Sequence, residues 1–166
     1  MKDYTIFYQQ LTAPFLSCPR IVKGMAYFNR GMTVFMPLVY GLVLIDAFLI
    51  EGWKGLLAFF LLPAIGFGLL SAIRKRLNQA RPYEKWAIQP LLAKDTSGKS
   101  MPSRHVFSAT VISMCLLYFF WLPGLLCLWL SVGLAVVRVI GGVHYPKDVV
   151  IGYLCGICWG ALIFLL

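Results

Sequence analysis

Apolar residues in this chain gather into long runs instead of the short alternations of a soluble fold. The first run spans about Met32 to Ile50 and the second Trp53 to Ile73, each near the twenty or so residues needed to cross about 30 Å of hydrocarbon. Three more follow, roughly His105 to Leu122, Leu125 to about Val139 and about Asp148 to Leu166; the fourth run is short. Asp46, Glu51 and Lys54 mark a turn between the first two, and Pro123-Gly124 one between the third and fourth. Pro63, Gly66 and Gly68 permit a kink and close helix contact inside the second run. Residues 1 to 30 mix aromatic and aliphatic side chains with Lys2, Arg20, Lys23 and Arg30. They are too polar to span and lack a signal-peptide core, so one or two helices lying on the membrane are expected.

The expected fold class is therefore an all-α integral membrane protein, with about five transmembrane helices preceded by an interfacial amphipathic N-terminal segment. Residues 1–166 make one membrane-embedded domain: an interfacial segment over 1–30 and a helical core over 31–166. About 74–104 is the only long polar segment in its body, and it carries eight lysines and arginines. A loop of that length is usually functional or disordered.

Composition supports the membrane reading, since 60% hydrophobic against 13% charged residues lies far from soluble usage. A formal charge of +9 would suggest nucleic acid in a soluble protein. In a membrane the anionic partners are lipid headgroups or a phosphorylated substrate, and no nucleic-acid motif is present. Cys18, Cys115, Cys127, Cys155 and Cys158 fall mostly in apolar runs, so the Cys155-x-x-Cys158 pair is read as packing and not as metal or redox chemistry.

With five crossings, the C-terminal ends of helices two and four meet the N-terminal ends of helices three and five on one face. Those ends carry Arg74, Arg138, Ser103 to His105 and His144 to Asp148. Ionisable groups between spanning helices mark a functional site by default. Helix N-termini and arginine forks both suit phosphate oxygens. Asp148 follows His144 by four residues, with Pro146 suited to a first helical turn. The carboxylate could hold one ring nitrogen and leave the other as a nucleophile, while His105 could serve as general acid.

These three segments resemble the signature of the type 2 phosphatidic acid phosphatase family, membrane lipid phosphatases related to vanadium haloperoxidases and glucose-6-phosphatase. The family pattern is Lys, six residues, Arg-Pro; then Pro-Ser-Gly-His; then Ser-Arg, five residues, His, three residues, Asp. Here Arg81-Pro82 fits with Arg74 at the lysine position, Pro102, Ser103 and His105 fit with Arg104 at the glycine, and Arg138, His144 and Asp148 fit with Val137 at the serine. The resemblance implies that His144 forms a phosphohistidine, Asp148 orients it, and His105 protonates the leaving group and then activates water. It also implies that Arg74, Arg81, Ser103 and Arg138 hold the phosphate. Lys75 is a stand-in for Arg74 if the helix end is shifted by one residue; Arg104 either contacts a second phosphate or points to solvent. Neither a metal nor a cofactor is expected.

Among weaker candidates, Glu84 either pairs with a pocket arginine, repels a wrong substrate or is a solvated loop acid. Lys85, Lys94 and Lys99 attract an anionic headgroup or are solvated, and Asp95 has no evident partner. The short architecture resembles bacterial members that dephosphorylate undecaprenyl diphosphate, the first choice of substrate; phosphatidylglycerol phosphate, phosphatidic acid and lipid A are alternatives. A non-hydrolytic lipid-binding or transport protein and a phosphotransferase are the other readings, and the histidines with Asp148 favour hydrolysis over binding alone. Membrane lipids are expected partners in a multi-pass plasma-membrane protein. The positive-inside rule would put the catalytic face in the cytoplasm, whereas the resemblance implies an exterior or periplasmic site, which is the expectation kept here.

Overall fold

A computed structural model describes residues 3–94 and 96–165, so Lys2 and Asp95 lie outside the described residues. The elements in chain order are α1 (Tyr4–Leu16), α2 (Pro19–Leu77), α3 (Pro82–Lys85), α4 (Arg104–Phe119), α5 (Trp121–Ile140) and α6 (Pro146–Ala161), with a closing 3₁₀ turn over Leu162–Leu165. All the described regular structure is helical.

α2 is not one rod. At Gly52 the backbone takes φ 67° and ψ −155°, a conformation open to glycine and strained for any residue with a Cβ. The chain reverses there. The hydroxyl of Tyr40 donates to the carbonyl of Phe59 at 3.1 Å, although nineteen residues of unbroken helix would separate them by about 28 Å. The bond also repairs a defect: Pro63 has no N–H, so the Phe59 carbonyl has no partner four residues on, and Tyr40 supplies one. The turn expected around Asp46, Glu51 and Lys54 is thus a single-residue hinge between two helical limbs.

The first limb begins at Pro19, so residues 19–31 open the first long helix and do not form a second interfacial one. Proline at N1 suits a helix start, because its missing N–H would be unsatisfied there in any case. α1 alone remains as a separate N-terminal helix. Its buried face presents Tyr8 and Thr12, and the Tyr8 hydroxyl donates to the carbonyl of Ile140 at 3.1 Å, tying α1 to the end of α5.

α4 is the central helix: ten of its sixteen residues are buried, and it packs against α2, α5 and α6. The break before α5 falls at Phe120 and not at Pro123-Gly124. Pro123 instead occupies the first turn of α5, where a ring in place of an N–H costs little, and α5 gains the length its hydropathy alone did not suggest. Likewise α6 starts at Pro146 and not at Asp148. Both limbs of α2, α5 and α6 with its 3₁₀ turn belong to helices long and apolar enough to cross a membrane; α4, at sixteen residues, is a shorter apolar helix.

Between α4 and α6 the backbones come unusually close. Gly152, Gly156 and Gly160 fall four residues apart on α6, and a Cβ at these positions would lie 2.7 Å from the Ser103 carbonyl, 2.7 Å from Thr110 Cβ and 2.5 Å from Met114 Cβ. A stripe of small residues allows such contact between membrane helices. It brings the start of α4 against the start of α6. Cys155 and Cys158 are exposed on α6, facing away from the core, while Cys115 and Cys127 are buried.

Candidate active site

The ends of α2, α4, α5 and α6 converge on one face of the bundle, and the segments between them are tied by direct bonds. The Ser103 N–H donates to the Asp148 carbonyl at 2.8 Å, and the Ser100 N–H donates to the Gln79 carbonyl at 2.8 Å. The 78–103 connection is therefore pinned, not loose. Asn78 closes α2 in a left-handed conformation (φ 36°), as asparagine tolerates at a helix end. Glu84 then holds the connection together, accepting the N–H of Arg81 at 2.7 Å and that of Gly98 at 2.9 Å. The carboxylate is exposed, as a solvated loop acid would be, yet it also binds backbone N–H groups of the connection. Desolvation would raise its pKa, but the donors from Arg81, Ser97 and Gly98 outweigh it and hold the carboxyl below its usual range.

Three arginines are buried beneath this surface: Arg74 at 7% exposure, Arg81 at 3% and Arg138 at 1%. Arg74 donates to the Pro102 carbonyl. Arg81 donates from Nε to Gly98 at 3.1 Å and from Nη1 to Val143 at 3.3 Å, both carbonyls. Arg138 donates from Nη1 to Oδ1 of Asn29 on the first limb of α2, at 3.0 Å. Buried guanidiniums remain charged and need anionic or carbonyl partners. Only one described carboxylate is buried near them, that of Asp148. The cluster is therefore strongly electropositive.

His144 and Asp148 are both buried, at 1% and 0% exposure. Nδ1 of His144 lies 3.6 Å from Oδ2 of Asp148. The same oxygen accepts the backbone N–H of Tyr145 at 3.1 Å and the hydroxyl of Ser100, whose oxygen is also 3.4 Å from His144 Nδ1. Burial lowers the His144 pKa below the ordinary 6.5; the bond to Asp148 opposes this, and the charges of Arg138 and Arg81 add to it. The ring is thus neutral near pH 7, with its Nδ1 side engaged by Ser100 and Asp148. A neutral imidazole held in this way can offer Nε2 as a nucleophile.

Ser103 is fully buried, and its hydroxyl oxygen has no hydrogen-bond partner among the described residues. A buried hydroxyl left so is costly unless a ligand completes it. His105 sits half-buried two residues on and lines a groove of about 230 Å³ with Met36, Phe67 and Leu134.

Lys75 is exposed, because Arg74 and not its neighbour turns inward. Arg104 is also exposed, its guanidinium 5.3 Å from the ring centre of Phe67, and it lines the same groove as His105. Conversely, Ser100 and Asn29 contact site residues without having been singled out from the sequence. Ser100 carries a weak signal, standing three residues before Ser103 in the same short segment; Asn29, in a helix far upstream, carries none. Among the described residues no group of three or more His, Cys, Asp or Glu side chains could hold a metal ion.

Buried arginines thus surround a histidine-carboxylate pair at one end of an all-helical membrane bundle. The sequence from 53 to 166 matches the family model described as PAP2 superfamily, and the chain belongs to that superfamily, whose members are phosphatases. In fold it is similar to Aquifex aeolicus LpxE, at 22% identity, TM-score 0.69, and coverage of 96% of this chain and 93% of that one. It is similarly related to the first transmembrane PAP2 type phosphatidylglycerolphosphate phosphatase from Bacillus subtilis, at 21% identity and TM-score 0.63, covering 96% and 91%. No match was found among curated proteins.

Proposed function

We propose that this protein hydrolyses the phosphomonoester or diphosphate of a membrane lipid through a phosphohistidine on His144, without a metal ion. The observation that carries the reading is the buried His144–Asp148 pair among Arg74, Arg81 and Arg138, beside the unpartnered hydroxyl of Ser103. The guanidiniums neutralise the phosphoryl oxygens, so the charge a metal would otherwise supply is already present. Nε2 of His144 attacks phosphorus, and the bond from phosphorus to the lipid oxygen breaks as His105 gives that oxygen its proton. Neutral His105 then takes a proton from water, the hydroxide displaces His144 from phosphorus, and inorganic phosphate leaves.

Undecaprenyl diphosphate is the first choice of substrate. His105 stands at the end of a groove that continues into a second of about 280 Å³, the two sharing Phe67, Ser108 and Ile112. A single slender path suits one hydrocarbon chain on the leaving-group side. Phosphatidylglycerol phosphate, named for one structural neighbour, and phosphatidic acid are the alternatives. The site is proposed to face the exterior of the plasma membrane, and labelling of a cysteine placed at Lys94 in intact cells, with native cysteines removed, tests that orientation.

The deciding experiment is phosphate release by purified protein in detergent with chelator present, from each of the three lipids, beside His144→Ala. Release abolished by the substitution is the expected result. Full activity in His144→Ala would sink the mechanism, and binding without release from any lipid would favour a lipid carrier.

A further inference from the structure

Apart from the His105 groove, with which they share no lining residue, two cavities adjoin beside α1. The upper one, about 560 Å³, lies at the polar face and is bounded by Tyr4, Gln79, Lys85, Trp86, Tyr145 and Lys147. Its aromatic wall is ordered: the Trp86 indole N–H donates to the Tyr145 hydroxyl at 3.1 Å, and the rings of Tyr4 and Tyr145 are 4.9 Å apart. The ammonium groups stand over that wall, Lys85 at 5.7 Å from the Trp86 ring and Lys147 at 5.9 Å from that of Tyr145. No described carboxylate lines the cavity.

The lower cavity, about 380 Å³, is an apolar cleft between α5 and α6, lined by Leu11, Val132, Val136, Val139, Val150 and Leu154 among others. Pro146 lines both cavities, so they adjoin. From Ile140 to Val132 the cleft descends eight residues of α5, about 12 Å into the apolar zone. One face of α1 roofs both, with Tyr4 above and Leu11 two helical turns further on.

We infer that this double cavity is a second lipid site, which holds the anionic headgroup of a phospholipid at Lys85 and Lys147 and one of its acyl chains between α5 and α6. A cationic, aromatic upper chamber at the interface above an apolar lower one matches the two halves of such a lipid, and neither half alone would account for the other. In the proposed mechanism, on which this distinction rests, the substrate takes a different path. In-line attack by His144 drives the leaving oxygen away from His144 and toward His105, whose groove lies between the limbs of α2 and α4. The α5–α6 site is therefore non-catalytic. It abuts the reaction centre through Tyr145, whose backbone N–H donates to Asp148.

Native mass spectrometry tests this on the full-length protein, released from detergent micelles holding equal phosphatidylglycerol and phosphatidylcholine. One phosphatidylglycerol should be retained in preference to phosphatidylcholine. The double substitution Lys85→Gln with Lys147→Gln should lower that preference roughly thirty-fold, as expected of two lysines near an anionic headgroup. Val136→Trp, which fills the lower cleft from a lipid-facing position, should lower retention while phosphate release from a short-chain substrate persists. Vanadate, a phosphate mimic for the His144 site, should leave retention unchanged. Equal retention of the two lipids, or a preference that survives the lysine substitutions, would overturn the proposal. So would displacement by vanadate, which would put the lipid in the phosphate pocket, or displacement by an equal concentration of glycerol phosphate, which would show that the cavity reads free phosphate alone.

Discussion

Ser100 donates its hydroxyl to the carboxylate oxygen of Asp148 that faces His144, across forty-eight residues of sequence. The proposed catalytic pair is thus a trio of contacting side chains, its third member supplied by the connection between α3 and α4. A hydrogen bond to a charged group contributes about 1.5–3 kcal/mol, roughly 10–100-fold in a rate if lost in the transition state. Ser100→Ala is expected to lower kcat within that range with little change in KM, and Ser100→Thr to retain more activity. Steady-state kinetics on folded protein check both.

The depressed pKa of His144 fixes a pH dependence. In the proposed mechanism the nucleophile is the neutral ring, and burial keeps it neutral to lower pH than an ordinary imidazole, so the acidic limb of kcat/KM belongs below pH 6.5. The same shift bears on stability. The unfolded chain binds this proton more readily than the folded one, so His144's contribution is complete above pH 6.5 and is lost as pH falls from there through the folded-state value. Thermal unfolding of wild type and His144→Gln between pH 5 and 7.5 should show the wild type losing more on acidification.

Arg138 meets Asn29 through one nitrogen of its fork. Arg138→Lys keeps the charge but not the planar geometry, and it should reduce kcat/KM by about 100-fold, the scale of one lost transition-state donor. Asn29→Ala removes only the brace and should raise KM more than it lowers kcat. The two kinetic constants, measured separately, distinguish the pair.

Gly152→Ala puts a methyl 2.7 Å from the Ser103 carbonyl, where backbone and not a flexible side chain must give way. Overpacking of this kind costs about 1–3 kcal/mol. Because Ser103 and Asp148 are joined at the same spot, activity should fall along with thermal stability.

Tyr40→Phe serves as the remote counterpart. It leaves the Phe59 carbonyl without the hydroxyl that compensates for Pro63, at a cost of about 1–3 kcal/mol. The unfolding midpoint should drop, while kcat/KM at a temperature where the variant is folded should not.

Much of this architecture was legible in the residues. Hydropathy located the apolar runs, and the spacings around Arg81, His105 and His144 identified the segments that would meet. What remained hidden depends on distance in sequence or on single backbone angles. Nothing near Asn29 announces a contact with Arg138 109 residues away, and the partners of Ser100, Gln79 just past α2, His144 just before α6 and Asp148 on it, are brought together only by tertiary packing. The boundary at Phe120 was missed because Pro123-Gly124 reads as a turn by local chemistry, although both residues fit a helix start and a close approach to Leu117. Residues 19–31 looked interfacial by polarity, yet their helix continues without interruption into an apolar stretch that fixes their course.

The glycine stripe on α6 has a mechanical corollary. Bilayers differ in thickness, and helices facing lipid respond by tilting or bending. In this bundle the burden of such adjustment falls on the two limbs of α2, long, lipid-exposed and hinged at Gly52. α4 and α6 touch backbone to backbone and so move as a unit, carrying Ser103, His105 and Asp148 with them. The close α4–α6 contact therefore fixes the spacing of Ser103 and Asp148 to each other, while Arg74 and Asn29 ride on α2 and couple the phosphate-side arginines to the membrane around it.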